Sequence, residues 1–190
     1  KRGPMGRELT HSTAQSSSFE GGTKKRRSGL TPSKTKRLGR RVEGLTRSRI
    51  QFLKKDYSRG FIADCGFKAV NYKRGYLESR LKVLNRHRQQ DHYIHAGVIA
   101  TMADHTAGYA AFSLVPEDHR ILTIEFKINF LEAAYGRALI CRSRILREGG
   151  QILVGESEVF DQRGRGEALV AKAMVTLRSI HESKIKSIQI

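Results

Sequence analysis

The sequence predicts an α+β domain in which one antiparallel β-sheet wraps a single long helix. Three observations carry that prediction. Residues 94–114, IHAGVIATMADHTAGYAAFSL, form the longest nearly uncharged stretch of a basic chain, and Asp104 is their only acid. A helix apolar on almost every side is a buried helix. After it the apolar period drops from 3.6 to 2. Leu122, Ile124, Phe126, Ile128 and Phe130 alternate with Thr123, Glu125, Lys127 and Asn129, which is the pattern of a strand with one buried face. The other apolar stretches are short and separated by Gly-containing turns, as antiparallel hairpins require.

Taken in order, residues 1–45 are rich in Ser, Thr, Gly, Lys and Arg and show no apolar period. They read as a disordered basic tail, either native or a cloning remnant. The domain spans 46–180. Ile50, Leu53 and Tyr57 recur at helical spacing, so 46–57 is a short amphipathic helix. Phe61-Ile62 lead into a first strand over 66–72. The turn Lys73-Arg74-Gly75 joins it to a second over 76–84. Residues 85–93 are polar and form a loop into the central helix, which ends near Ser113 because Pro116 disfavours continuation. Four strands follow: 121–130, 137–147, 151–160 and 168–178. The last three are joined by the turns Glu148-Gly149-Gly150 and 162–166. Residues 181–190 form a frayed C-terminal tail. The sheet then buries its apolar face on the helix, and the helix is buried by the sheet.

At 190 residues the chain can hold one ordinary domain and a tail. The formal net charge is +18, and it is uneven: residues 1–50 carry 14 Lys and Arg against 3 acids. Such a charge suits an anionic partner, either nucleic acid or a phosphate-bearing molecule. For the run Lys24-Lys25-Arg26-Arg27 the solvated-tail reading outweighs nucleic-acid binding. Cys65 and Cys141 make no paired framework, which fits a reducing cytosol and a cytoplasmic protein. No stretch approaches the roughly 18 apolar residues of a membrane span, and the start shows no secretory h-region.

Asp104 is the candidate working residue. A carboxylate inside an apolar helix is costly unless it has partners or a task. His92, His95, Asp104 and His105 match no zinc-ligand spacing, and three of them crowd one helix, so no metal site is read here.

The run His95-Ala96-Gly97-Val98-Ile99-Ala100-Thr101-Met102-Ala103-Asp104 opens a buried helix with an H-[GA]-G motif and places an Asp nine residues after the His. Together with the strand Leu122–Leu131 and the Ala171-Lys172-Ala173 segment, it resembles the hotdog-fold thioesterases. The likeness is greatest to the phenylacetate-pathway-type acyl-CoA thioesterases and covers about residues 50–180. The resemblance implies a hotdog fold and hydrolysis of an acyl-CoA thioester without metal or bound cofactor. It also implies a homodimer, usually a dimer of dimers, with sites at the dimer interface.

Those implications suit the residues. Thioester hydrolysis needs an activated water or carboxylate nucleophile, and donors for the oxyanion that develops on the carbonyl. Asp104 can serve as general base or nucleophile. The backbone N–H groups of Ala96 and Gly97, at a helix N-terminus, can serve as the oxyanion hole. Gly97 and Asp104 are seven residues apart, hence on nearly one helix face but roughly 10 Å apart along the axis. That is too far for both to act on one carbonyl. Two antiparallel helices across a two-fold axis would join Asp104 of one to the N-terminus of the other.

By resemblance, Thr123 orients the attacking water, although it lies on the polar parity of its strand. Gln89 in the loop positions water or the thioester, and His95 shapes the helix start. Ala96 departs from the Gly common in relatives but keeps a backbone donor. Arg147, Arg163 and Arg165, near the Gly turns, are candidates for coenzyme A phosphates. Three rivals stand beside this reading: a non-catalytic hotdog module that binds acyl-CoA or a protein, a dehydratase-type hotdog enzyme, and a nucleic-acid role for the basic tail.

Overall fold

The computed structural model of the protein describes residues 44–185. The basic tail, apart from its last two residues, and residues 186–190 lie outside them. The elements are α1 (Arg47–Tyr57), α2 (Phe61–Cys65), β1 (Lys68–Lys73), β2 (Tyr76–Lys82), α3 (Ala96–Phe112), β3 (His119–Phe130), β4 (Ala138–Glu148), β5 (Ile152–Arg163) and β6 (Gly166–His181). The strands form one antiparallel sheet in the order β1-β2-β4-β5-β6-β3. This is an α+β hotdog architecture, with α3 lying in the concave face of the sheet. Among the described residues, no helix is long and apolar enough to cross a membrane.

Small residues let α3 seat deeply. Ala103, Ala107, Ala110 and Ala111 are fully buried, as is Met102, and Leu77, Leu139, Leu153, Val175 and Leu177 meet them from the sheet. Hydroxyl groups fix the helix in register on that apolar bed. Ser157 Oγ donates to the Ala103 carbonyl at 2.7 Å and pairs with Ser143 Oγ at 2.7 Å. Thr106 Oγ1 donates to the Met102 carbonyl at 2.6 Å and meets Ser79 Oγ and the Tyr57 hydroxyl. These buried polar groups are mutually satisfied, so they specify position without an unpaired-group penalty.

Three departures from the sequence reading bear on the site. Phe61–Cys65 is a short helix, not an approach to a strand. It ends on Gly66, whose φ of 78° takes the left-handed conformation that closes helices at low cost. The second departure is a β-bulge in β3. The register slips between Thr123 and Glu125: Thr123 faces Leu177, and Phe126 faces Val175. The bulge breaks the period-2 face in two, so Ile121 and Thr123 share the helix side with Phe126 and Ile128. The expected single buried face is also not covered, because Leu122, Ile124, Phe126 and Phe130 are all exposed on this edge strand. The third is at the C-terminal end, where the last strand reaches His181 and is followed by a 3-10 turn at Glu182–Lys184.

A buried carboxylate pins the loop behind α3. Asp161 is fully buried and accepts from the amides of Tyr135 and Gly136 and from Arg163 Nε. The loop in turn receives the Ile94 amide on the Ala134 carbonyl at 2.7 Å and Arg88 on the Gly136 carbonyl at 2.9 Å. The start of α3 is therefore anchored to the end of β5. A Cβ at Gly136 would collide with the Asp161 carboxylate and the Gln162 carbonyl oxygen. Gly136→Ala should lower stability by about 1–3 kcal/mol in urea titration; an unchanged midpoint would remove the anchor from this account.

His105 joins α3 to α1. Its Nε2–H donates to the Tyr57 carbonyl at 3.0 Å, and its ring packs on Tyr57 and Tyr109. Burial holds its pKa below the ordinary 6.5, the Tyr57 carbonyl opposing. The sign follows from linkage: a depressed folded-state pKa gives stability that is present above the unfolded value and lost as pH falls through the folded one. His105→Gln, which keeps a donor, should flatten the decline in melting temperature below about pH 6.5 relative to wild type. Parallel acid limbs in the two proteins would exclude the linkage.

Candidate active site

The helix face that the sheet does not cover carries Gly97, Thr101, Asp104 and Gly108, all exposed or half-buried. The bulge in β3 brings the Thr123 hydroxyl to this face, where it donates to Asp104 Oδ1 at 2.8 Å. The lone acid of the helix thus has one fixed partner and one oxygen, Oδ2, without a protein hydrogen bond among the described residues. A carboxylate held this way can accept a proton from water or attack an electrophile.

Asp104 and Thr123 line a cleft of about 190 Å³ with Gly108, Tyr109, Phe112 and Ile121. Two polar residues that the sequence did not suggest complete it, Asp56 from α1 and Arg120 from β3. The Tyr109 hydroxyl donates to Asp56 Oδ2 at 2.8 Å. Burial, reinforced by Asp56, raises the Tyr109 pKa, so the phenol stays a donor. Neither Asp56 nor Arg120 carries a sequence signal, since a charged residue on an amphipathic helix or at a strand start is ordinary.

The N-terminus of α3 stands apart from that cleft. His95 is its N-cap, with Nδ1 accepting from the Gly97 amide at 2.9 Å. This corrects the expectation of two unpaired amides: the Gly97 donor is occupied by the cap. The Ala96 amide has no acceptor among the described residues. Ala96 lines a second cleft with Tyr93, Ile99 and Phe130, and Gly97 and His95 line a third. Asp104 belongs to neither, so one chain does not bring its carboxylate and its helix N-terminus into one cleft.

The other candidates fall as follows. Gln89 is half-buried in the loop, where its side-chain oxygen caps the Asp91 amide at 2.9 Å, and it lines none of these clefts. Arg163 is committed within the chain. It pairs with Asp161 at 3.0 Å and with Glu132, donates to the Ala133 carbonyl and stacks on Tyr135. Arg147 and Arg165 are exposed. No group of three or more His, Cys, Asp or Glu is placed to hold a metal among the described residues.

The geometry has clear relatives. The model of the thioesterase superfamily matches residues 91–168. A protein of Saccharolobus solfataricus named as an esterase is 27% identical over 117 residues, which cover 62% of this chain and 83% of that protein. The crystal structure of a thioesterase family protein from Silicibacter pomeroyi aligns with a TM-score of 0.67 and 29% identity, over 70% of this chain and 98% of that one. A thioesterase protein from Streptococcus pneumoniae, solved with coenzyme A, shares the fold at a TM-score of 0.59 and 22% identity, over 67% of this chain and 96% of its own. The matched segment runs through all of α3 and on to the start of β6, and the sheet that wraps that helix is the hotdog sheet, so in this segment and in its fold the chain is similar to the thioesterase superfamily.

Proposed function

We propose that the protein hydrolyses an acyl-CoA thioester to the free acid and coenzyme A, with Asp104 as the group that activates water or attacks the carbonyl. The Asp104–Thr123 hydrogen bond at 2.8 Å carries this reading. It fixes a carboxylate in a cleft with one oxygen free for water, and it requires a β-bulge to do so. The family supplies the reaction class. The coenzyme A found with the Streptococcus pneumoniae relative supports the substrate class.

On this reading the site is shared between two protomers. The exposed apolar side chains of β3 on a sheet edge, with the uncovered face of α3 beside them, are the surface that a second copy would cover. Antiparallel packing of two α3 helices would carry Asp104 of one protomer to Ala96 and Gly97 of the other. The Ala96 amide then faces the oxyanion, with the Gly97 amide joining it when His95 releases the cap. Further pairing of dimers is what the resemblance implies.

Two measurements test the reading. Asp104→Asn should keep the fold and lower kcat by about 10²–10⁴-fold on a panel of acyl-CoA thioesters. Wild type that hydrolyses no member of the panel yet binds coenzyme A with the same affinity as the variant is instead a non-catalytic binding module.

The shared site has its own test. Ala96→Pro removes the first-turn donor at a position where helices tolerate proline. Each single variant should be inactive as a homodimer. Co-expressed in equal amounts with Asp104→Asn, it should restore about a quarter of wild-type activity, because half of the dimers then hold one intact site of two. No restoration would place both groups in one chain.

A further inference from the structure

The loop after β3 walls two clefts. Ala133 and Ala134 line the cleft of Ala96. The next residues, Tyr135 and Arg137, line a fourth cleft of about 580 Å³ with Arg163 at the end of β5. Tyr135 is the unusual member. It is 54% exposed, yet it is firmly placed. Its amide donates to Asp161 Oδ2 at 3.0 Å, and its carbonyl accepts from Arg88 at 3.3 Å. The Arg163 guanidinium sits over its ring, 4.2 Å from the centroid, and is itself held by Asp161, Glu132 and the Ala133 carbonyl. Fixing an exposed ring costs side-chain freedom and returns little apolar burial. A ring so fixed is a platform on which a second flat group can stack.

We infer that Tyr135, backed by Arg163, is the stacking platform for the adenine base of coenzyme A, with Arg137 as a contact for its phosphates. The inference rests on the proposed substrate class and adds where the nucleotide half of that substrate binds. Three observations lead there. The first is position. On the proposed reading the thioester carbonyl lies at Ala96, and Leu131, Ala133 and Ala134 give the pantetheine arm an apolar wall to follow from there towards Tyr135. The second is charge. The Arg137 side chain is exposed and is paired with no acid among the described residues, and Arg165 is exposed beside Gly164, which lines the same cleft. A guanidinium pairs with phosphate oxygens in a fixed, two-pronged geometry. The third is the rest of the lining. Around Tyr135 stand Arg137, Gln162, Arg163 and glycines, so an acyl chain would find no apolar wall there. An aromatic face among cations suits a base and its phosphates.

Coenzyme A and pantetheine separate the nucleotide from the thiol arm, because pantetheine is that arm alone. In calorimetry Tyr135→Ser should bind coenzyme A roughly tenfold more weakly than wild type, the worth of one base–aromatic stack, and should bind pantetheine no differently. Tyr135→Phe keeps the ring and should bind coenzyme A as wild type does. Arg137→Gln should weaken coenzyme A binding, and more at low salt than at high. Four results overturn the stack: wild type that binds no coenzyme A, affinity indifferent to Tyr135→Ser, an equal loss for pantetheine, or a Phe variant as weak as the Ser variant. Arg137→Gln at wild-type affinity overturns the phosphate contact. None of these arms needs turnover. Protein that binds coenzyme A through Tyr135 but hydrolyses no thioester refutes the thioesterase reading and keeps this one. Protein that hydrolyses acyl-CoA with KM unmoved by Tyr135→Ser does the reverse. If Tyr135→Ser does not fold, wild type gives the answer by NMR: nuclear Overhauser effects should join the adenine H2 and H8 protons of bound coenzyme A to the Tyr135 ring, and their absence overturns the stack.

Discussion

One constraint shapes the rest of this molecule: a helix with hardly any polar side must be covered by a sheet that can reach only part of it. Alanines on the inner side of α3 let the sheet close to full burial, and Ser157 and Thr106 lock the helix by bonding its own carbonyls. Apolar contact alone would allow the helix to slide or rotate, since hydrophobic burial has no direction. The hydroxyl bonds remove that freedom. With the helix so fixed, the outward positions are determined too, and these are the positions that carry Asp104.

The sheet contributes through irregularity. A regular β3 would aim Thr123 away from the helix if Phe126 and Ile128 faced it, because one residue of register exchanges the two faces. The bulge between Thr123 and Glu125 lets both sets face inward. It thereby joins a packing requirement, the apolar residues on Val175 and Ala173, to a chemical one, the hydroxyl on Asp104. At the start of α3 the Asp161 anchor does comparable service. It holds the loop that receives Ile94, just before the N-cap His95. The middle of the helix and its start are thus tied to the sheet by polar contacts as well as by apolar packing.

Much of the fold could be read from residue pattern alone. Charge depletion marks α3, and the turns mark β4, β5 and β6, because burial on a regular period leaves a repeating trace in the sequence. The exceptions share a physical origin. The five residues of α2 complete little more than one turn, too few to display a helical period, and Phe61 points outward. A one-residue bulge leaves no trace, since Leu122, Ile124 and Phe126 alternate in the sequence whether or not the strand slips. At the site, Asp104 stood out as the sole acid of an apolar helix. Its bond to Thr123 was hidden by the bulge. The commitment of Arg163 to Asp161 and the capping of Gly97 by His95 depend on where side chains of other elements, or of the helix start itself, come to rest.

The separation of Asp104 from the start of its own helix has an electrostatic rationale. A carboxylate in the first turn of a helix is drawn to the free amides there and to the positive end of the dipole. Both interactions stabilise the ionised form and make it a poorer base. Two turns on, that field has decayed, and the bound Thr123 hydroxyl is the local polar contact of Asp104. On the proposed two-fold arrangement, Asp104 and a helix N-terminus meet only across the interface, with the thioester carbonyl between them. The helix start then acts on the oxyanion, where charge develops during reaction, and not on the carboxylate. Holding base and oxyanion donors on one helix but two turns apart therefore keeps each available to a substrate, at the cost of requiring a second copy of the chain to complete the site.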